Sequence, residues 1–163
     1  MKRLLLMVAF CGLAALGVGL ALGHHPYQGW PPLPPTRPGA DIAAVAHPPA
    51  LVMTTLHKDC YNCHSDHPDL PWYGYVWPSS AQVQDDIHRA GARLNFSEWD
   101  QLSPEMSRIR MNQVCTMVSE DKMPIWYYKP FHPEAKVTKQ QAAAICNWAN
   151  QMPIALTTQS ASR

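Results

Sequence analysis

The sequence predicts an all-α protein, and three observations lead there. Apolar residues recur at helical spacing in two long stretches: Met111, Val114, Cys115 and Val118 in one, Ala142, Ile145, Cys146, Ala149 and Met152 in the other. Each stretch opens on a capping signal, Ser103 before Pro104 and Thr138 three residues ahead of Gln141. No strand-like apolar run precedes Cys60, the start of the most distinctive motif. A chain of 163 residues allows one domain of ordinary size.

Residues 1–23 read as an export element. Lys2 and Arg3 form a basic start, and residues 4–23 carry no charge. As a helix that stretch would span about 30 Å, enough for a bilayer, which favours a retained membrane anchor. Small residues near Gly23 suit a cleaved signal peptide instead, and Cys11 is a poor lipid site after bulky Phe10. Residues 24–49 hold eight prolines and read as a linker, either extended for at most about 80 Å or wrapped on the domain surface.

The folded unit is expected over residues 50–153, with 154–163 as a tail. A first helix over 51–61 would line one face with Leu51, Val52, Thr55 and Leu56 and end at the cysteines. Residues 69–78, rich in proline and aromatics, read as an irregular loop. Ser79 or Ser80 would cap a helix through about Arg93, with Val83 and Ile87 facing inward. A short helix near Ser97 precedes the long one from Ser103 to about Ser119. Thr138 caps the last. Cys115 and Cys146 both face inward, as a disulfide or as two buried thiols; a bridge would contribute about 3 to 4 kcal/mol in the chain-entropy model.

Cys60-Tyr61-Asn62-Cys63-His64 reads C-x-x-C-H, the attachment signature of c-type haem. Two thiols one helical turn apart suit addition across the two vinyl groups of one porphyrin, and the next imidazole reaches the iron. Zinc is the main rival, since Cys60, Cys63 and either His64 or His67 supply three of four ligands. No second C-x-x-C or C-x-x-H completes that set. A thioredoxin-like pair would need a preceding strand. The expected cofactor is therefore one haem c, covalent through Cys60 and Cys63, with His64 as the proximal ligand.

For the other axial position the candidates are Met106, Met111, Met117, Met123, Met152, His67, His88 and His132. Met123 stands apart because it follows a helix end and precedes Pro124, so backbone rather than a rotamer can aim its thioether. Trp72, Tyr73, Tyr75 and Trp77, with Trp126, Tyr127 and Tyr128, are expected to wall the porphyrin, some polar tips reaching propionates or the linker backbone. Arg89 and Arg93 are propionate candidates, although surface charge is their commoner role.

The segments Cys60–Ser65, Pro71-Trp72-Tyr73, Leu94-Asn95-Phe96-Ser97-Glu98-Trp99, Lys122-Met123-Pro124, Trp126-Tyr127-Tyr128 and His132-Pro133-Glu134-Ala135 resemble the haem-binding domain of small exported bacterial monohaem c-type cytochromes. The likeness covers roughly residues 47 to 152. It implies a small helical cytochrome c-like domain around one covalently bound haem, and Met123 as the distal ligand. Proline is common there in place of Ile125. Cys115 and Cys146 fall outside these motifs.

A His and Met pair would saturate the iron and favour the ferrous state, so the expected activity is outer-sphere electron transfer rather than enzyme catalysis. Expected partners are redox proteins, including a membrane oxidase or reductase complex, at the periplasmic side of the inner membrane. Two other readings stand beside this one. An open distal site would make a gas- or peroxide-binding sensor or enzyme, with His132 or Tyr127 distal; a docking subunit of a larger redox complex would use the proline arm. Without residues 1–23 the chain has 11 basic and 12 acidic residues, and so no basic field for nucleic acid.

Overall fold

The computed structural model describes residues 6–14, 17 and 33–153, and among these every regular element is a helix or a 3-10 turn. Residues 6–14 are helical. Of the predicted 4–23 span only residues 6–14 and 17 are described, and among the described residues no helix is long and apolar enough to cross a membrane. The 154–163 tail also lies outside them.

The domain starts earlier than expected. A 3-10 turn over Pro38–Ala40 leads into α1, Ile42–Val45, whose N-cap Asp41 accepts from the Ala43 amide through Oδ1 at 2.8 Å. Ile42 is fully buried with the main core. Of the two readings of residues 24–49, the wrapped arm fits the described part: one buried isoleucine and an aspartate cap fasten residues 38–46 to the globule, ahead of the start expected at residue 50. The Asp41 carboxylate also accepts the Tyr61 hydroxyl at 2.8 and 2.9 Å.

Helix α2, Ala50–Asp59, buries Val52, Thr55, Leu56 and Asp59. Leu51, expected on that face, is 40% exposed. The predicted continuous helix to residue 61 is also corrected. The chain breaks at Cys60, with φ −130° and ψ −41°, and α3, Tyr61–His64, starts anew. In the aromatic loop a 3-10 turn, Trp72–Tyr75, leads into α4, Ser79–Arg93. Ser79 does not cap this helix. Its hydroxyl donates to the carbonyls of Tyr73 and Val76 at 2.5 and 2.8 Å, so it fastens the loop while the helix begins at the serine itself.

After α4, Asn95 caps a 3-10 segment, Phe96–Gln101, where a helix near Ser97 was expected. Helices α5, Pro104–Ser119, and α6, Lys139–Gln151, carry the caps predicted for them, Ser103 and the reciprocal Thr138–Gln141 box. They pack side by side through Met111, Val114, Val118, Ala142, Ile145 and Ala149. A Cys115–Cys146 disulfide, Cα–Cα 4.8 Å, joins them. Trp99 and Phe96 complete the core beneath the Cys60–His64 turn.

Candidate functional site

The site is built on the short turn that follows the break at Cys60. The amides of Cys63 and His64 both donate to the Cys60 carbonyl at 3.0 Å, which sets the two cysteines one turn apart and aims the histidine away from α2. Both thiols are half-buried. Burial pushes Cys60 up to about 12, with Asp59 and Cys63 adding to it, and Cys63 up to about 11, helped by Asp86. They stay protonated at neutral pH, whereas a reactive redox pair needs a thiolate. Among the described residues no cluster of three His, Cys, Asp or Glu side chains is arranged to hold a metal ion.

His64 Nδ1 lies 3.0 Å from the Leu94 carbonyl oxygen. A carbonyl only accepts, so Nδ1 carries the proton and donates it. Burial lowers the affinity of His64 for a second proton, and the ring stays neutral. Its unshared electron pair is left on Nε2, the state a metal-binding imidazole needs when its other nitrogen is held by a backbone carbonyl. Leu94 is where α4 ends, its own amide bonded to the Ala90 carbonyl.

A clamp holds this pair of segments together. Asn95 Oδ1 accepts from the Ser97 amide at 3.0 Å, and its Nδ2 donates to Asp66 Oδ1 at 2.5 Å. The Asp66 amide returns a bond to Ser97 Oγ at 3.2 Å. Phe96 stacks on Tyr61 at 5.3 Å and on Trp99 at 5.9 Å, and meets the His64 ring edge-on at 6.1 Å. The resemblance singles out Asn95, Phe96 and Trp99 without a role, and Ser97 is expected only as a helix start. The signal that could have found the clamp is the Asn-x-Ser spacing, which suits an Asx cap.

The second half of the site is the loop after α5. That helix ends in a Schellman motif with Asp121 at φ 54°: the Asp121 amide bonds to Val118 O at 3.3 Å and the Lys122 amide to Met117 O at 2.9 Å. Lys129 Nζ fastens Asp121 through its carbonyl at 3.0 Å and its carboxylate at 2.6 Å. Met123 follows directly, 36% exposed, with Pro124 buried behind it. What joins this loop to the turn is not Met123 itself but its neighbours. Tyr127 donates to Asp86 on α4 at 2.8 Å, and Tyr128 accepts from Asn62 Nδ2 at 3.4 Å.

The predicted aromatic wall divides. Trp72 and Trp126 are 75% and 78% exposed, and Tyr75, Trp77 and Phe131 are exposed beside them. Tyr73 and Tyr127 are tied to protein instead: Tyr73 Oη lies 2.6 Å from His132 Nε2, and Tyr127 Oη is held by Asp86 with Gln82 near. Both hydroxyls thus have protein partners. Arg89 is paired with Asp85 at 2.7 Å and acts as a surface charge.

Exposed aromatic side chains suit a flat apolar ligand, and an iron centre finds one neutral imidazole nitrogen. These are the demands of an iron porphyrin, and fold and site together define a haem-binding protein. The family model for the haem-binding domain matches residues 28–151, and the chain belongs to that family. No curated protein and no solved structure matches the chain.

Proposed function

We propose that the protein is an exported monohaem c-type cytochrome that passes single electrons between redox partners. The observation that carries the reading is the His64 Nδ1 bond to the Leu94 carbonyl, made by the residue that follows two protonated cysteines in C-x-x-C-H. Cys60 and Cys63 would bind the porphyrin covalently, His64 would be the proximal ligand and Met123 the distal one. Haem supplies a ferric/ferrous couple that holds one electron.

The chain's own residues do the rest. Leu94, through its carbonyl, fixes the tautomer and plane of His64, and the Asn95–Asp66–Ser97 clamp holds that carbonyl in place. The Schellman turn at Asp121 and the Lys129 contact set the direction in which the chain reaches Met123. Trp72, Tyr73, Trp126 and Tyr127 would wall the porphyrin, the two tryptophans through exposed faces that also suit a small transient interface with a partner. Partners of this kind include a membrane oxidase or reductase at the periplasmic face of the inner membrane, with residues 1–23 as anchor or cleaved signal.

A sensor or peroxidase-like reading needs an open distal position. Its one support is the partial exposure of Met123. Against it, His132 has both ring nitrogens engaged and Tyr127 donates to Asp86, so each would have to give up a hydrogen bond to bind iron. The absorption spectrum of the oxidised protein tests the choice. A methionine-to-iron charge-transfer band that disappears in Met123→Ala, with a lowered midpoint potential, is expected. A parent protein lacking that band would refute Met123 as ligand.

A further inference from the structure

Tyr73, His132 and Glu134 form a continuous hydrogen-bonded chain that electron transfer alone does not require. His132 Nδ1 lies 2.9 Å from Glu134 Oε1, and Nε2 lies 2.6 Å from Tyr73 Oη. The Glu134 carboxyl is held below its ordinary range by a backbone hydrogen bond and then by His132, so it is ionised and accepts. Nδ1 therefore donates to Glu134. Burial pushes the Tyr73 phenol up to about 12, so its hydroxyl keeps its proton and donates to Nε2. This is the arrangement in which a carboxylate orients an imidazole and stabilises its protonated form.

One end of the chain lies toward the Cys60–His64 turn and the other reaches water. Tyr128 accepts from Asn62, between the two cysteines, at 3.4 Å. The His132 ring stacks flat on Tyr128, centroids 3.9 Å apart at 8°. His132 and Glu134 also line an open cavity of about 800 Å³ together with His57, Lys58, His67 and Asp69. The His132 side chain is 17% exposed and that of Glu134 60% exposed, so a proton can enter from solvent.

We propose that His132 is a proton-loading site coupled to the electron: the domain gains a proton at His132 Nε2 when it gains an electron, and loses both together. On reduction the electron comes from the donor protein and the proton from water in the cavity. The Tyr73 hydroxyl rotates to accept from Nε2–H, while Nδ1–H stays on Glu134. Oxidation reverses each step, delivering the electron to the acceptor and the proton to water. The other titratable and charged groups around His132 are Tyr128, Lys58, His57, His67, Asp69 and the buried Asp59. A unit change of charge a few side chains away, through protein of effective permittivity about 20, alters proton affinity roughly tenfold. Such a tenfold change corresponds to a total shift of about 59 mV in the one-electron potential across the His132 titration.

The proposal rests on the haem reading, and the test separates the two. Midpoint potentials of the holoprotein are measured between pH 5 and 8 in the parent, His132→Gln and Glu134→Gln. The parent potential is expected to fall with rising pH, the His132→Gln potential to be flat, and the Glu134→Gln slope to move to lower pH because the imidazolium loses its carboxylate. Glu134 is exposed, so that variant keeps the fold. A coloured, normally ligated parent with a flat potential would overturn the coupling alone. So would a slope that survives His132→Gln, or a Glu134→Gln profile identical to the parent's. A colourless parent would overturn the haem reading and the coupling with it.

Discussion

Asn95→Ala is the substitution that most directly probes how the fold holds His64. In the parent the Asn95 carboxamide does two things: Oδ1 caps the Phe96–Gln101 segment and Nδ2 donates to the Asp66 carboxylate. Losing a cap of this type costs about 1 kcal/mol. Losing a hydrogen bond to a charged group costs about 1.5 to 3 kcal/mol. The groups are only partly buried and share a partner in Ser97, so the two do not add fully; about 2 to 3 kcal/mol is expected. Urea unfolding of the holoprotein measures it as a lower midpoint with unchanged slope. The functional half follows from the geometry. With the clamp released, the Leu94 carbonyl shifts against Nδ1 and the midpoint potential should move with stability. Asn95→Asp separates the contributions, since it keeps the cap but sets a second carboxylate against Asp66. The reasoning is refuted if Asn95→Ala unfolds at the parent's midpoint, or if Asn95→Asp is as stable as the parent.

Other substitutions test separate parts of the account. Replacing both Cys115 and Cys146 by serine reopens a chain separation of 31 residues and should cost about 3 to 4 kcal/mol in thermal or urea unfolding, with the haem spectrum unchanged. Asp59 carries both carboxylate oxygens buried without a hydrogen-bond partner, and desolvation raises it above its ordinary value despite Lys58 at 3.8 Å. The unfolded chain then binds fewer protons than the folded one. Stability that is full below the ordinary carboxylate range is lost as pH rises through the raised value. Asp59→Asn should therefore raise the urea midpoint at pH 7 and leave it nearly unchanged at pH 3, and equal effects at both would contradict the desolvation argument.

Helices α5 and α6 were legible in the sequence because their signals are local. Ser103 with Pro104, and Thr138 with Gln141, are caps that act within one turn, and the apolar stripes behind them face a single partner. The failures came where a residue answers to something distant in the chain. Ile42 sits in a proline-rich stretch, and only its burial against Trp99 and Phe96 shows that the domain starts there. Ser79 has the right residue type for a cap, yet its hydroxyl goes back to the Tyr73 and Val76 carbonyls. Cys60, Cys63 and His64 could be picked out from spacing alone. The partner that orients the histidine could not, because a backbone carbonyl thirty residues away has no sequence signature. Tyr73 and His132 were noticed separately, one as a porphyrin wall and the other as a distal candidate, and not as partners. Their mutual bond spans 59 residues.

The central claim is a porphyrin fixed through the turn that begins at Cys60. Intact mass measurement of the matured protein under denaturing conditions tests it most directly. The account predicts a chain heavier by one haem, and the loss of that increment when Cys60 and Cys63 are both replaced by alanine. A coloured protein that denatures to the bare chain mass, with both thiols alkylated by an added reagent, would contradict it.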